Sequence, residues 1–521
     1  TFNKSLQHFE RNEESRNLSD ELINHSNSDN HSFREGRNFE NNFSATKKYG
    51  SGGGYFKLMV RNEINGTKNN EFKQSLTQIF GEDPSTIDRN QFMDGDQNRN
   101  SYRIIPSFRL PLIADTLFLA IGYTFENEKR EDKRSVFDFN EITQDFSNFN
   151  TAQSTDFTNT NESSTPEIGI NYRNEKIYAR INASYVFRKL ESDDALRDFQ
   201  FENDFNALEL NANFRYQFSK KFSLFSGYYL ENVAPNIDQL SPYVDISDPL
   251  NITQGNPDLK PSNEHRLYFG ANNYDYQTQT GFYSYLNANI TQDRVVSKSF
   301  VDENFVRNTT YTNVDGNYNL SGNIGFNKSI KLDSVQTFKY GAYFHINGNK
   351  SVNFNNNIKY NSNTISYNPS VNASFTWKEW FKISPTYTIN YSVNSFDIDT
   401  FEDRDYTRHE FNLRTTTFFP EWLEWNNDIE YVYNADLTEG FDRNYVFWNS
   451  SLTYSFLKEK GSATLKVYDL LNQNNNVQRA SNQDYIQDIQ STVLRRYFML
   501  TLSYKFNTLG KKGEIKDNPW E

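Results

Sequence analysis

Residues 205–230 alternate between two kinds of side chain. Leu208, Leu210, Ala212, Phe214, Tyr216 and Phe218 take every second position, and Glu209, Asn211, Asn213, Arg215 and Gln217 fill the positions between. Successive side chains of a strand point to opposite faces, so this run has one apolar, aromatic face and one polar face. Ser219-Lys220-Lys221 links it to a second run, Phe222 to Leu230, and the two read as a hairpin. A soluble hairpin would look the same. The constraint comes from repetition: the unit returns from Asn38 to Phe506 as roughly 19 strands, with no helical pattern long enough for a crossover.

The connections sort by parity. One set is short: 50–54, 113–115, 173–176, 219–221, 331–334, 378–379, 420–421 and 458–461. The other is long: 81–98, 127–157, 190–200, 232–262, 294–311, 350–363, 396–404, 435–443 and 470–489. Short turns on one rim and long loops on the other are the habit of outer-membrane barrels. Many strands exceed the roughly 9 to 11 residues that span a bilayer. The predicted fold class is therefore all-β: a transmembrane antiparallel up-and-down β-barrel.

Composition agrees. The chain carries 33 Tyr and 45 Phe, yet its mean hydropathy is −0.83. A lumen-facing polar half hides a lipid-facing apolar half from any average. No run of about 20 apolar residues exists, so no transmembrane helix is expected. A net charge of −13 argues against nucleic acid as a partner. With no cysteine, disulfide and thiolate chemistry are excluded. Four tryptophans, Trp377, Trp380, Trp422 and Trp425, flank two short turns. Indole prefers the headgroup level, where its ring is buried and its N–H stays wet.

Three regions are predicted. Residues 1–37 are polar without usable periodicity and are expected to be an extracellular loop or arm. Residues 38–507 form the barrel, and 508–521 a periplasmic tail. In the final arm Leu494, Arg496, Phe498, Leu500, Leu502, Tyr504 and Phe506 face outward, and Arg495, Tyr497, Met499, Thr501, Ser503 and Lys505 inward. The sequence opens at Thr1 without a charged and apolar leader, so a processed or incomplete chain is expected.

Between the repeats lies a long connection containing Pro235, Asp238-Gln239-Leu240, Asp248-Pro249 and Gly255-Asn256-Pro257-Asp258-Leu259-Lys260-Pro261. Near the end stand V-Y-D-L-L-N-Q-N, Val467 to Asn474, and R-R-Y-F-M-L-T-L-S-Y-K-F, Arg495 to Phe506. In order and spacing these resemble TonB-dependent outer-membrane receptors over most of residues 200–507. The resemblance implies a 22-stranded barrel, of which about 19 strands are read here, filled by an N-terminal plug. It implies location in the outer membrane of a Gram-negative cell and import of a scarce, bulky solute with energy passed by the TonB system. Plug and TonB box would lie upstream, and a surface lipoprotein lid is a natural partner. The residues of the Gly255–Pro261 motif themselves read as scaffold: Pro257 and Pro261 hold an extended lead-in to a strand at Ser262, and Gly255-Asn256 suits a turn.

Sites of chemistry are sparse. Asp94, Asp96, Asn98 and Asn100 give a D-x-D-x-N-x-N pattern, but without a following bidentate Glu a solvated polar loop is expected rather than a calcium site. His8, His25, His31, His265, His345 and His409 show no H-x-x-x-H or H-E-x-x-H spacing. No G-x-S-x-G or Walker loop appears, and the pair Asp193-Asp194 reads as loop charge, so no enzyme, cofactor or metal is expected. Inward-facing Arg215, Tyr229, Tyr283, Tyr285 and Lys505 would line a wet lumen, where rings and polar groups suit a sugar, peptide or chelate, or would hydrogen-bond a plug; the substrate-binding residues stay unassigned. Two functions follow: solute import, or a receptor-like scaffold barrel that anchors surface proteins without transport. An upstream plug with a TonB box would separate them.

Overall fold

The computed structural model describes residues 2–16, 21–80, 84–304, 306–436, 442–457, 460–473, 477–481, 486–490 and 495–505. A strand wall begins with β1 (Phe2–Arg16), β2 (Leu22–Tyr49), β3 (Gly54–Ile79), β4 (Ser85–Ile113) and β5 (Leu117–Asn140). A short β6 (Asp145–Phe149) branches off β5. The wall continues as β7 (Thr155–Arg173), β8 (Ile177–Asp194), β9 (Phe199–Gln217) and β10 (Phe222–Val233). Helix α1 (Ile237–Leu240), β11 (Val244–Asp248) and β12 (Asn251–Gln254) leave it, β13 (Ser262–Asp275) and β14 (Thr280–Gln292) resume it, and β15 (Arg294–Val301) and β16 (Arg307–Val314) leave it again. Then come β17 (Asn317–Lys331), β18 (Gln336–Asn355), β19 (Ile358–Trp377), β20 (Phe381–Phe396), β21 (Arg404–Phe418), β22 (Leu423–Asn434), β23 (Asn444–Phe456) and β24 (Gly461–Tyr468). A hairpin of β25 (Val477–Ser481) and β26 (Ile486–Gln490) precedes the last wall strand, β27 (Tyr497–Tyr504).

Each wall strand pairs antiparallel with the next one along the chain, in a single 21-stranded sheet that includes the side branch β6. Among the described residues, and apart from β6, the wall therefore has one strand more than the roughly 19 expected from the alternation. The extra strand is β1. Residues 2–37, expected to be a loop or arm, form a hairpin in which Phe2 pairs with Arg37 and Glu13 with Ser26. The segments 81–98, 127–157, 190–200 and 350–363, expected to be loops, are likewise mostly strand: β4 starts at Ser85, β5 runs to Asn140 and β18 to Asn355. The reason is solvent. β4 has 29 residues, roughly 95 Å at about 3.3 Å per residue, far taller than the ~25 Å apolar band of a barrel. Above that band both faces are wet, alternation has no cause, and the ladder is held by its backbone bonds and polar cross-strand pairs. Arg99 Nη2 lies 2.6 Å from Glu128 Oε2, and Arg103 pairs with Glu126.

Within the band the alternation is strict. Ala212, Tyr228, Leu267, Ala288 and Leu320 stand side by side across β9, β10, β13, β14 and β17. The neighbouring row on the same outer face is Phe214, Ser226, Phe269, Leu286 and Gly322. Leu286, Leu320 and Ile324 are about half exposed on this outer face. The turns at the other rim are short. Gly50 and Gly53 adopt φ of 63° and 82°, and a Cβ on Gly53 would press on the Phe118 ring at 3.2 Å. Trp377, Trp380, Trp422 and Trp425 sit half exposed at this rim, with the Trp377 and Trp380 rings edge to face at 5.8 Å. On β27 Phe498, Leu500 and Leu502 are 68%, 66% and 73% exposed on the outer face. Leu494, Phe506 and the tail 508–521 lie outside the described residues.

Candidate functional site

The inner face of β8–β18 carries a sheet of aromatic rings. Four consecutive rows can be read from the register. From the upper side they run Asn211–Tyr229–Arg266–Asn289, Asn213–Gly227–Tyr268–Asn287, Arg215–Phe225–Gly270–Tyr285–Asn323–His345, and Gln217–Ser223–Asn272–Tyr283–Gly325–Tyr343. Three of the glycines are each covered by a ring from the adjacent strand. A Cβ on Gly227 would meet the Tyr268 ring at 2.4 Å, one on Gly270 the Phe225 ring at 2.1 Å, and one on Gly325 the Tyr283 ring at 2.3 Å. Flattened against the wall in this way, the rings expose their faces to the lumen and cover glycine backbone that would otherwise be bare. Tyr229 and Tyr268 stack at 6.1 Å and Tyr268 and Tyr285 at 6.0 Å, while Tyr283 and Tyr343 lie 6.3 Å apart.

Amides fix the hydroxyls. Tyr229 OH and Tyr268 OH both donate to Asn213 Oδ1, at 2.8 and 2.6 Å. Beside them Tyr178, Arg215, Phe225, Tyr268 and Asn272 enclose a recess of 690 Å³. Of the inward residues named from the sequence, Arg215, Tyr229, Tyr283 and Tyr285 thus meet on one wall. Lys505 does not; it follows β27, where its N–H donates to the Lys460 carbonyl at 2.7 Å. Tyr268, the centre of the stack, follows from the same alternation, since it shares a face with Arg266 and Gly270.

Above the rings, two excursions from the wall fold into a lid. β11, β12, β16 and β15 form a separate four-stranded sheet in that order, with β12 and β16 parallel. The Gly255–Pro261 motif clamps it. Asn256 N–H donates to the Gln239 carbonyl at 2.6 Å and its side-chain amide to the Tyr311 carbonyl at 2.9 Å. Lys260 N–H donates to Asn313 Oδ1 at 2.8 Å, and Asn313 Nδ2 returns to the Lys260 carbonyl at 2.8 Å. A Cβ on Gly255 would stand 2.3 Å from the Ser241 carbonyl, so only glycine fits. Leu240 and Leu259 are buried with Leu190 against Phe201, Phe205, Val295 and Tyr311. The strand after the motif starts at Ser262.

The lid docks on the far wall. Arg89 donates to the Ser247 carbonyl at 2.7 Å and the Ile246 carbonyl at 3.0 Å, and Lys73 Nζ to the Ser247 carbonyl at 3.2 Å. Leu250 and Val306 pack on Ile79. Tyr243 lies under the Arg197 guanidinium at 4.3 Å and donates to the Ala152 carbonyl at 3.3 Å. Burial, then the nearby Arg89 charge, pulls the Lys73 ammonium below its usual pKa. Burial, then the Asp245 carboxylate, pushes the Tyr243 phenol up. Beside the base of the lid, at residues 234–238, lies an 860 Å³ chamber lined by Arg61, Arg99, Arg103, Arg130 and Arg188 interleaved with Glu63, Glu126 and Glu128. Arg130 reaches the lid at Asp238, 3.7 Å away.

The remaining sequence candidates are structural. Asp94, Asp96, Asn98 and Asn100 lie on the strand β4, not in a loop. On a strand the four side chains stand in a row along one face rather than curling round a centre as a calcium loop does. They are engaged locally: Asn98 Nδ2 donates to Asp96 Oδ1 at 2.9 Å, and Asn62 Nδ2 to Asn100 Oδ1 at 3.0 Å. Asp194 accepts from Arg197 at 2.8 Å and from the Leu196 N–H at 3.1 Å, which pins a turn.

The sequence matches the profile of the outer membrane protein beta-barrel family over residues 47–368 and 337–504. The chain belongs to that family. It is therefore an integral protein of the Gram-negative outer membrane, and its apolar outer rows face lipid. No curated protein matches it. Among solved structures it is similar to the copper transporter OprC, at 11% identity and a TM-score of 0.47, over 97% of this barrel and 76% of that chain. It is also similar to the ferric citrate transporter FecA, at 10% identity and a TM-score of 0.44, over 97% and 73%. The ferric yersiniabactin uptake receptor FyuA from Yersinia pestis shares 9% identity at a TM-score of 0.36, over 97% and 75%.

Proposed function

We propose that this barrel is the pore of a TonB-dependent importer for a bulky polar solute, working with a plug encoded upstream. The observation that carries the reading is the arrangement of lid, chamber and ring wall. A folded lid reaches across from β10–β14 to β3 and β4, a charged chamber is lined in part by the lid's base, and the wall of tyrosine faces stands lower on β10–β18. Mixed charge in the chamber offers hydrogen bonds of both senses to a large solute. Ring faces with amide-fixed hydroxyls then offer contact to a sugar ring, a peptide or a chelate without strong polarity of their own. A rigid aromatic wall costs little ordering entropy on binding. The protein is read as a transporter, not an enzyme. The tall extension of β2–β5 presents a broad polar surface on which a surface lipoprotein could sit.

The test is native mass spectrometry of protein extracted from its own outer membrane, followed by uptake of the co-purifying solute in cells with and without TonB. Uptake that stops without TonB supports import. Uptake indifferent to TonB, or a fixed set of bound surface proteins with no solute, would overturn it in favour of a scaffold barrel.

A further inference from the structure

The hairpin β1–β2 brings together two histidines separated by 23 positions of sequence. His8 pairs directly with His31, and Glu10 with Asp29. Opposed residues of an antiparallel pair share a face, and so do residues two apart on one strand. His8, Glu10, Asp29 and His31 therefore make a two-by-two patch on one side of the hairpin. The imidazole rings stack with centroids 4.1 Å apart and planes 14° from parallel. Asp29 Oδ1 lies 2.8 Å from His8 Nε2 and 3.4 Å from His31 Nε2. Glu10 Oε1 lies 3.5 Å from His8 Nε2. The ligand atoms of His8, Asp29 and His31 all fall within 4.8 Å of one another.

These spacings fit a metal ion. Donors held about 2.0–2.1 Å from a tetrahedral centre are roughly 3.3 Å apart, close to the separations seen. Two imidazoles with carboxylates select borderline transition ions over calcium or magnesium, which take oxygen alone. The side chains of His8, Asp29 and His31 are 49%, 44% and 57% exposed, so an ion can enter from solvent. Sequence motifs missed the set because its halves, H-x-E and D-x-H, lie on different strands. Each has the two-residue spacing that puts ligands on one strand face.

We infer that His8, Asp29 and His31 bind one divalent transition-metal ion of the zinc and copper class, with solvent free to complete the coordination. The ion staples β1 to β2 in the part of the wall where no apolar face holds the strands.

The experiment uses untagged full-length chain in detergent, titrated with Zn²⁺ by calorimetry and with Co²⁺ by its visible absorption. One ion per chain is expected, with a Kd on the order of 1 µM at pH 7.5. His8→Ala and His31→Ala should each weaken binding about 100-fold, Asp29→Asn about 10-fold, and His25→Ala, two places along the same strand face from Asp29, not at all. Circular dichroism of each variant checks that the barrel is kept. Zn²⁺ should slow hydrogen exchange of residues 2–37 in the wild-type chain and leave the His8→Ala/His31→Ala double variant unchanged. Undiminished binding in that double variant, equal loss with His25→Ala, or a Kd weaker than about 1 mM would overturn the site.

Discussion

The lower band of the wall and its upper extension are built from the same strands and obey different rules. In the band, β13 and β14 put Leu267, Phe269, Leu286 and Ala288 on one face and Tyr268, Gly270, Tyr285 and Asn287 on the other. In the extension, β4 and β5 put charge and amide on both faces, as where Arg99 and Glu128 meet. The backbone ladder is continuous through both. What changes is the medium, lipid against water below and water on both sides above. A period of two in the sequence is therefore a record of two solvents rather than of a strand.

That contrast can be broken most forcefully in the band. Leu286→Arg should destabilise the folded barrel by about 2–4 kcal/mol, while Asn287→Arg, one residue on and facing the lumen, should stay within about 0.5 kcal/mol. Refolding into lipid vesicles at graded urea checks this; equal costs would mean that the two faces meet the same medium. Next comes the lid. Gly255→Val cannot avoid the Ser241 carbonyl, and should raise hydrogen exchange of residues 236–261 by about 30-fold, near 2 kcal/mol, without moving the barrel's own melt. In the extension, Arg99→Gln removes a half-exposed ion pair and should cost no more than about 0.5 kcal/mol in the same refolding assay.

The smallest effect is electrostatic. The folded lid holds the Lys73 pKa below 10.5. Beneath that lowered value both docked and released states are protonated, and the burial cost is felt in full. As pH climbs from there toward 10.5 the docked state sheds its proton first, so docking strengthens with pH. A fluorophore on Asp258 should report a urea midpoint for lid release that rises over that window and is flat in Lys73→Met. A falling midpoint would contradict the burial of this ammonium.

The same contrast decides what was legible. Turns such as 113–115 and 378–379, the strand start at Ser262 and the inward set Arg215, Tyr229, Tyr283 and Tyr285 follow from alternation, because lipid imposes it there. The hairpin of residues 2–37 and the upper halves of β4 and β5 carry no such imprint and read as loop. The lid was hidden for another reason. Its core joins Leu190, Leu240 and Leu259 from three distant segments, and β12 meets β16 in parallel across more than fifty residues, which no local pattern announces. The Gly255–Pro261 motif shows its turn and its strand entry in sequence, but not the Tyr311 and Asn313 partners that make it a clamp.

Because the chain has no cysteine, single-cysteine spin labels can be walked along β14 without background. Labels from Phe282 to Ile290 in vesicles, scored for collision with oxygen against a water-soluble nickel chelate, should give oxygen maxima at 282, 284, 286, 288 and 290 and nickel maxima at the positions between. A profile without a two-residue period, or with its phase reversed, would contradict a wall that has lipid on one side and a wet lumen on the other.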